Sequence, residues 1–162
     1  MKKGQFYIFT AFVLIGAVAA LIPRQVDIKP PRTILNDVAD NYKAEAPRVI
    51  NTAIWNGTNL TPVFRQFTTE FMGYVQDRDT SIGMAYAFVD TETHVGNHFS
   101  ADIRLGDGST ITSGGFLTVP KNDSLIMEVY GRNYTFDTSQ AYSYSAVFRV
   151  QKGQNVEVKI VR

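Results

Sequence analysis

The sequence contains no cysteine and only two histidines in 162 residues. This excludes a disulfide framework, a thiolate nucleophile and a cysteine metal site, and it is compatible with either side of a membrane. The 16 Lys and Arg residues nearly balance the 15 Asp and Glu residues, which leaves a formal net charge of +1. Because nucleic-acid-binding proteins need a basic surface to contact the phosphate backbone, we expect no nucleic-acid partner.

The motifs of common catalytic sites are also missing. No Gly-x-Ser-x-Gly elbow is present to expose a serine nucleophile. The segment Gly106–Ser109 lacks the glycine spacing and the lysine of a phosphate-binding loop. We therefore predict that the protein is not an enzyme and that it binds no cofactor. A secreted enzyme with an unrecognised site is the weakest alternative.

Two patterns could suggest a metal site, and both are incomplete. His94 and His98 have the spacing of a ligand pair, but Gly96-Asn97 between them predicts a turn and the chain has no third His or Cys. Asp77 and Asp79 begin a pattern like that of an EF-hand, which then lacks the glycine and the bidentate glutamate at the required positions. We predict that no metal is bound.

What the sequence does contain is a long uncharged segment near its start. Residues 4–23 carry no charge, and Phe6–Ile22 is almost wholly apolar, with Lys2-Lys3 before it and Arg24 after it. As a helix, about 18 residues at roughly 1.5 Å each nearly match the thickness of a bilayer core. The segment shows no polar face at helical spacing. The sequence therefore predicts an N-terminal transmembrane helix, or signal segment, over residues 1–23 with the remaining chain outside the cell.

A cleavable secretory signal is the main alternative for this segment. A charged start, an apolar run and the small residues Ala17–Ala19 also fit such a signal. Cleavage after Ala19 would release the rest of the chain as a secreted protein.

The residues directly before the apolar run favour retention of the segment. Lys2-Lys3-Gly4-Gln5 followed by the apolar run resembles the class III signal peptide of archaeal type IV pilin-like proteins, over about 20 residues of the chain. The resemblance implies that a membrane peptidase cuts between Gly4 and Gln5 and leaves the apolar helix on the mature chain. It also implies that the partners are the membrane and, through the apolar helix, copies of this chain or other pilin-like subunits.

Two departures from the pilin pattern affect the expected assembly. The fifth mature residue would be Phe9, where many pilins carry a glutamate, and Pro30-Pro31 would end a long stalk helix. We therefore predict a minor pilin-like component, or a simple anchored protein, rather than the main subunit of a long filament.

The rest of the chain has the composition of one globular domain, since 44% of the residues are hydrophobic. Residues 24–32 are charged and rich in proline, which predicts an extended spacer. Residues 33–162 form the predicted extracytoplasmic domain. Apolar residues recur at helical spacing over about 33–77, with a break or kink at Pro47. From residue 82 to the end the apolar residues alternate, which predicts a β-rich region.

The predicted fold class is therefore α+β. It consists of an N-terminal transmembrane helix, a short helical region, and a C-terminal antiparallel β-sandwich or rolled sheet. The clearest alternations are at Ile82–Phe88, His98–Leu105, Leu125–Tyr130 and Asn155–Ile160. Turn residues lie between them.

Four Asn-x-Ser/Thr sequons are candidate glycosylation sites, at Asn56, Asn59, Asn122 and Asn133. Together with the apolar segment they favour a membrane-anchored extracytoplasmic structural or surface protein. The alternative is an extracellular binding or adhesion module that uses aromatic strand faces. The tyrosines that would form such faces are Tyr130, Tyr134, Tyr142 and Tyr144.

The mass and N-terminal residue of the native protein distinguish these alternatives. We expect the apolar segment to be retained, so that the mature chain starts at Gln5 after pilin-type processing or at Met1 in a plain anchor. Intact-mass measurement with N-terminal sequencing gives the answer directly. A start at Ala20 would contradict retention and support secretion.

Overall fold

The computed structural model describes residues 34–162. The predicted membrane segment, the proline-rich spacer and the processing pair Gly4-Gln5 lie outside the described residues. The helices and strands below therefore belong to the predicted extracytoplasmic domain alone.

Two helices begin the described chain. Helix α1 spans Ile34–Trp55 and helix α2 spans Leu60–Gln76. Asn59 caps α2, since its side-chain oxygen accepts a hydrogen bond from the Thr61 N–H at 3.2 Å. Each helix buries one face and exposes the other, as the sequence spacing of their apolar residues requires.

Helix α1 continues without a break through Pro47. A proline inside a helix removes the N–H that would bond the carbonyl four residues earlier, which here belongs to Lys43. The hydroxyl of Tyr144 donates to this carbonyl at 3.1 Å. A side chain 101 residues away thus satisfies the carbonyl that the proline leaves open, and the predicted break does not occur.

Within residues 34–162, nine antiparallel strands form two sheets. One sheet has five strands in the order β5-β2-β1-β8-β9, and the other has four in the order β4-β3-β6-β7. The strands are β1 Ile82–Val89, β2 Thr93–Asn97, β3 Ile103–Leu105, β4 Thr110–Ile111, β5 Phe116–Val119, β6 Ser124–Val129, β7 Arg132–Asp137, β8 Tyr144–Lys152 and β9 Asn155–Val161.

The five-stranded sheet is covered on both faces. One hydrophobic cluster lies between this sheet and the two helices, and a second lies between the two sheets. All eight residues of β1 are buried. Ile82, Met84 and Tyr86 face the helices, while Ala85 and Ala87 face the second sheet. The alanines of this second face leave room for larger side chains of the same cluster, such as Phe99 and Phe136.

Aromatic rings dominate the cluster below the helices. Tyr42 of α1 is fully buried, and its ring lies 5.2 to 6.0 Å from four others. These belong to Phe67, Phe71, Tyr144 and Phe148. Ring pairs at such distances add stability beyond the buried area alone. Phe64, Phe67 and Phe71 of α2 therefore belong to the core.

The fold-class prediction is wrong as it was formulated. The described residues form two helices and nine antiparallel strands in two sheets, and no helix among them is long and apolar enough to cross a membrane. The helical region is not short, because α1 has 22 residues and α2 has 17. The physical reason that neither crosses a membrane is that both are amphipathic, with charged residues such as Asp40 and Arg65 on exposed faces.

The prediction of a turn at Gly96-Asn97 is also wrong, because both residues lie in β2. A Cβ on Gly96 would overlap the ring of Tyr86, so glycine is needed there for close packing. Asn97 is buried, and its amide donates to the carbonyls of Ala101 and Ile111 at 2.9 and 3.0 Å. These bonds hold a bend over residues 98–102, which is why the strand predicted over 98–105 is confined to its last three residues.

The hydroxyl of Tyr42 yields a stability prediction. It is buried and has no hydrogen-bond partner in residues 34–162. A buried hydroxyl without a partner destabilises the fold, so we expect Tyr42→Phe to raise the free energy of unfolding by about 1 kcal/mol. Chemical denaturation of the purified protein measures this.

Tyr144→Phe is the matched control, because it also removes one phenolic oxygen. It should lower stability by about 1 kcal/mol, since the Lys43 carbonyl loses its donor. If Tyr42→Phe destabilised the protein as much as Tyr144→Phe, the Tyr42 hydroxyl would have to be satisfied in solution.

Candidate functional site

A cleft of about 350 Å³ opens beside the start of β1. It lies between the end of α2, the bend after β2, the turn between β6 and β7, and strand β8. Its wall is mainly polar and includes two aromatic rings. The side chains that line the cleft include those of Gln76, Thr80, Ser81, His98, Phe99, Ser100, Ser113, Tyr130 and Arg149.

Tyr130 is in an unusual backbone conformation for a bulky residue. Tyr130 and Gly131 form the two-residue turn between β6 and β7, with φ of 49° and 74°. Such type I′ turns strongly favour Asn, Asp or Gly at both positions. A tyrosine with positive φ costs about 1 kcal/mol or more, and strained residues of this kind cluster at functional sites.

Three contacts hold the Tyr130 ring beside the cleft. The Arg149 guanidinium lies over the ring, 3.9 Å from its centroid. Phe99 meets it edge-on at 5.6 Å, and the Ser100 hydroxyl lies 3.2 Å from the phenolic oxygen. The residue is still 42% exposed, so part of its surface is open to solvent.

Several polar groups of the cleft already donate hydrogen bonds within the protein. The Ser113 hydroxyl donates to the Phe99 carbonyl at 2.7 Å, and the Ser81 hydroxyl donates to Asp79. The Gln76 amide donates to two backbone carbonyls at 3.3 Å. Oxygen lone pairs on these three side chains remain as acceptors. These three side chains therefore present mainly hydrogen-bond acceptors to the cleft.

Among residues 34–162, Arg149 is the only charged residue that lines the cleft. Burial, and secondarily the charge of Arg65, lower the pKa of His98, so its ring is neutral at pH 7. Asp79, just behind Ser81, is paired with Lys152 at 2.9 Å. Within residues 34–162 no carboxylate pairs with Arg149, whose guanidinium donates to the Gln151 side chain at 2.8 Å.

His94 belongs to a second polar cluster, at the N-terminus of α2. Its Nε2 lies 2.9 Å from an Asp90 oxygen and 3.2 Å from the Thr61 hydroxyl, and its Nδ1 lies 3.0 Å from the Thr118 hydroxyl. The imidazole is buried between the rings of Phe88 and Phe116. A carboxylate and a hydroxyl on opposite ring nitrogens resemble a hydrolytic triad.

This cluster has an evident structural role. The Thr61 hydroxyl donates to Asp90 at 2.8 Å, which ties the first turn of α2 to the loop after β1. His94 then joins that loop to the edge strand β5. His94 lies in this cluster while His98 lines the cleft, and residues 34–162 contain no group of three or more His, Cys, Asp or Glu side chains that could hold a metal ion.

All four sequon asparagines are exposed. Asn56 lies in the turn after α1, and Asn59 is the cap of α2. Asn122 precedes β6, and Asn133 lies on the edge strand β7. Their exposure is a requirement for carrying a glycan, and their use stays a prediction.

The four tyrosines proposed for a binding face do not lie together on one. Tyr134 and Tyr144 are partly buried against the two hydrophobic clusters. Tyr142 is exposed in the loop before β8, and Tyr130 is exposed at the cleft. Sequence reasoning missed Arg149, which looks like an ordinary strand residue. The Tyr130-Gly131 pair between two alternating segments was the available signal.

No protein-family model matches the chain, and no curated protein and no solved structure matches it either. The site is therefore interpreted from its own geometry.

Asp90 yields a pH prediction. Its burial opposes ionisation, but hydrogen bonds from the Glu92 N–H, the Thr61 hydroxyl and His94 outweigh it and lower the pKa to about 2. Since an unfolded Asp titrates near 3.9, ionised Asp90 contributes about 2 kcal/mol of stability. That contribution is complete above roughly pH 5 and is lost as the pH falls towards about 2.

Asp90→Asn should therefore destabilise the protein at pH 7 by about 2 kcal/mol, with the difference from wild type shrinking as the pH falls. Denaturation curves at neutral pH and near pH 3 measure this. Asp102→Asn, at an exposed loop position, is the control and should change stability little at either pH. A deficit for Asp90→Asn that stayed constant with pH would contradict the assigned pKa.

Proposed function

We propose that this chain is a membrane-anchored extracytoplasmic surface protein of the pilin-like kind, with residues 33–162 as its head domain. The observation that carries the proposal is the uncharged segment of residues 4–23, preceded by Lys2-Lys3 and followed by a charged spacer. The apolar segment holds the protein at the cell membrane. It also contacts copies of the chain or other pilin-like subunits. In a filament of such subunits, the protein is a minor component.

Features of the described domain support this role. Its apolar residues close on themselves in two clusters on either side of the five-stranded sheet. All four sequon asparagines are on its surface, where a protein outside the cell would carry glycans. The domain is built around strand β1, whose eight residues are all buried.

A secreted protein, cleaved near Ala19, is the alternative for location. An adhesion module is the alternative for function, but the separation of the four tyrosines removes the flat aromatic strand face on which that hypothesis depended. Binding by this domain would instead involve the cleft beside Tyr130.

Cell fractionation tests the proposal. The native protein should sediment with membranes, resist extraction by salt or carbonate, and be released by detergent. In intact cells, added protease should digest the domain, because it faces the medium. Recovery of the full-length chain in the soluble fraction, or protection of the domain inside intact cells, would refute the proposal.

Two arginine substitutions sharpen the test. Leu14→Arg places a charge in the middle of the apolar run, where it opposes membrane insertion by about 3 kcal/mol, and should shift protein to the soluble fraction. Val26→Arg adds the same charge to the spacer and should leave the protein in the membrane fraction. Equal behaviour of the two variants would show that the apolar run is not the anchor.

A further inference from the structure

We propose that the cleft beside Tyr130 binds an acidic sugar, with the carboxylate of a hexuronate on Arg149 and its hydroxyl groups on the serine and glutamine oxygens. This inference does not depend on the proposed anchoring, because every residue used lies in the described domain. It assigns the domain a ligand site in addition to its surface role.

The positive charge of the cleft favours an anionic ligand. Arg149 is the single full charge in the wall, no acidic side chain lines the cleft, and the neighbouring Asp79 is already neutralised by Lys152. The guanidinium is held in place by stacking on Tyr130 and by its bond to Gln151. An arginine positioned in this way and lacking a carboxylate partner in residues 34–162 is suited to a carboxylate from a ligand.

The hydrogen-bond acceptors in the wall favour a ligand that also has hydroxyl groups. The Ser81 and Ser113 hydroxyls donate within the protein, so they face the cleft mainly as acceptors, and the Gln76 side-chain oxygen is an acceptor too. Acceptors pair with the O–H donors of a sugar. Because their hydrogens are used within the protein, these side chains have none to offer to a phosphate or sulfate ion, which at neutral pH presents almost only acceptors.

The size and the aromatic part of the wall fit a single sugar unit. A volume of about 350 Å³ is at the lower end of the range for ligand pockets, roughly 300 to 1,000 Å³. Tyr130, which is 42% exposed, provides an apolar surface for the C–H face of a sugar ring. The strained backbone of Tyr130 is then explained, because Asn or Gly would suit the turn better but would remove this surface.

The test is a titration of the isotope-labelled full-length protein in a polyoxyethylene detergent, which has no sugar headgroup to compete. The probes are D-glucuronate and D-glucose, which differ at one carbon, together with inorganic phosphate and acetate. We expect glucuronate to shift the amide signals of cleft residues at millimolar concentration. Glucose should bind at least about tenfold more weakly, because it lacks the charge-assisted bonds to Arg149.

Substitutions in the cleft test whether glucuronate binds there. Arg149→Gln should weaken glucuronate binding about tenfold or more. Arg78→Gln is the matched control, since Arg78 is also stacked on a ring, that of Tyr74 at 4.1 Å, but lies outside the cleft wall. Tyr130→Asn fits the turn and so keeps the fold, and it should weaken binding several-fold. It tests the proposal even if the Arg149 variant fails to fold.

Each other outcome overturns the assignment. Equal affinity for glucose and glucuronate would show that Arg149 does not bind a carboxylate. Phosphate or acetate binding as tightly as glucuronate would show an unselective anion site. Unchanged affinity in both Arg149→Gln and Tyr130→Asn would place the sugar elsewhere, and no shift with glucuronate would exclude this ligand class.

Discussion

The burial of strand β1 on both faces is the constraint on which the rest of the domain depends. Ile82–Val89 has helices on one side and a second sheet on the other, so each alternate side chain needs its own apolar partner layer. Large residues face the helices and alanines face the second sheet. The layer below the helices is therefore filled mainly by aromatic rings, while on the other face of β1 the larger side chains come from the neighbouring strands and loops.

This layering also determines which side chain supplies the hydrogen bond that Pro47 removes from α1. Pro47 leaves the Lys43 carbonyl without its helical donor, and the β8 residue Tyr144 supplies one because β8 lies beside β1 under the helices. The same packing that makes Tyr144 a donor leaves the neighbouring Tyr42 hydroxyl buried without a partner. One tyrosine hydroxyl of the aromatic cluster thus satisfies a carbonyl of α1, while another is left without a partner, although the two side chains are chemically identical.

The cleft lies where this layered core ends, beside the first residues of β1. Its chemistry comes from segments far apart in the chain: the end of α2, the turn before β7 and the strand β8. The proposed surface role and the proposed sugar site are compatible, since a domain outside the cell meets carbohydrate. They rest on different observations, one on the composition of residues 4–23 and the other on the geometry around Arg149.

The sequence by itself determined the periodicities: helical spacing up to about residue 77, alternation from residue 82, and the apolar N-terminal segment whose role stays a prediction. Periodicity reports only which side of an element is apolar. It predicted a turn at Gly96 because the packing of the Tyr86 ring against that residue is not visible along the chain. It did not single out Arg149, because the exposure, stacking and missing carboxylate partner of an arginine depend on which strands become neighbours. Only the tertiary structure decided these properties of Arg149, since they arise from contacts between residues distant in sequence.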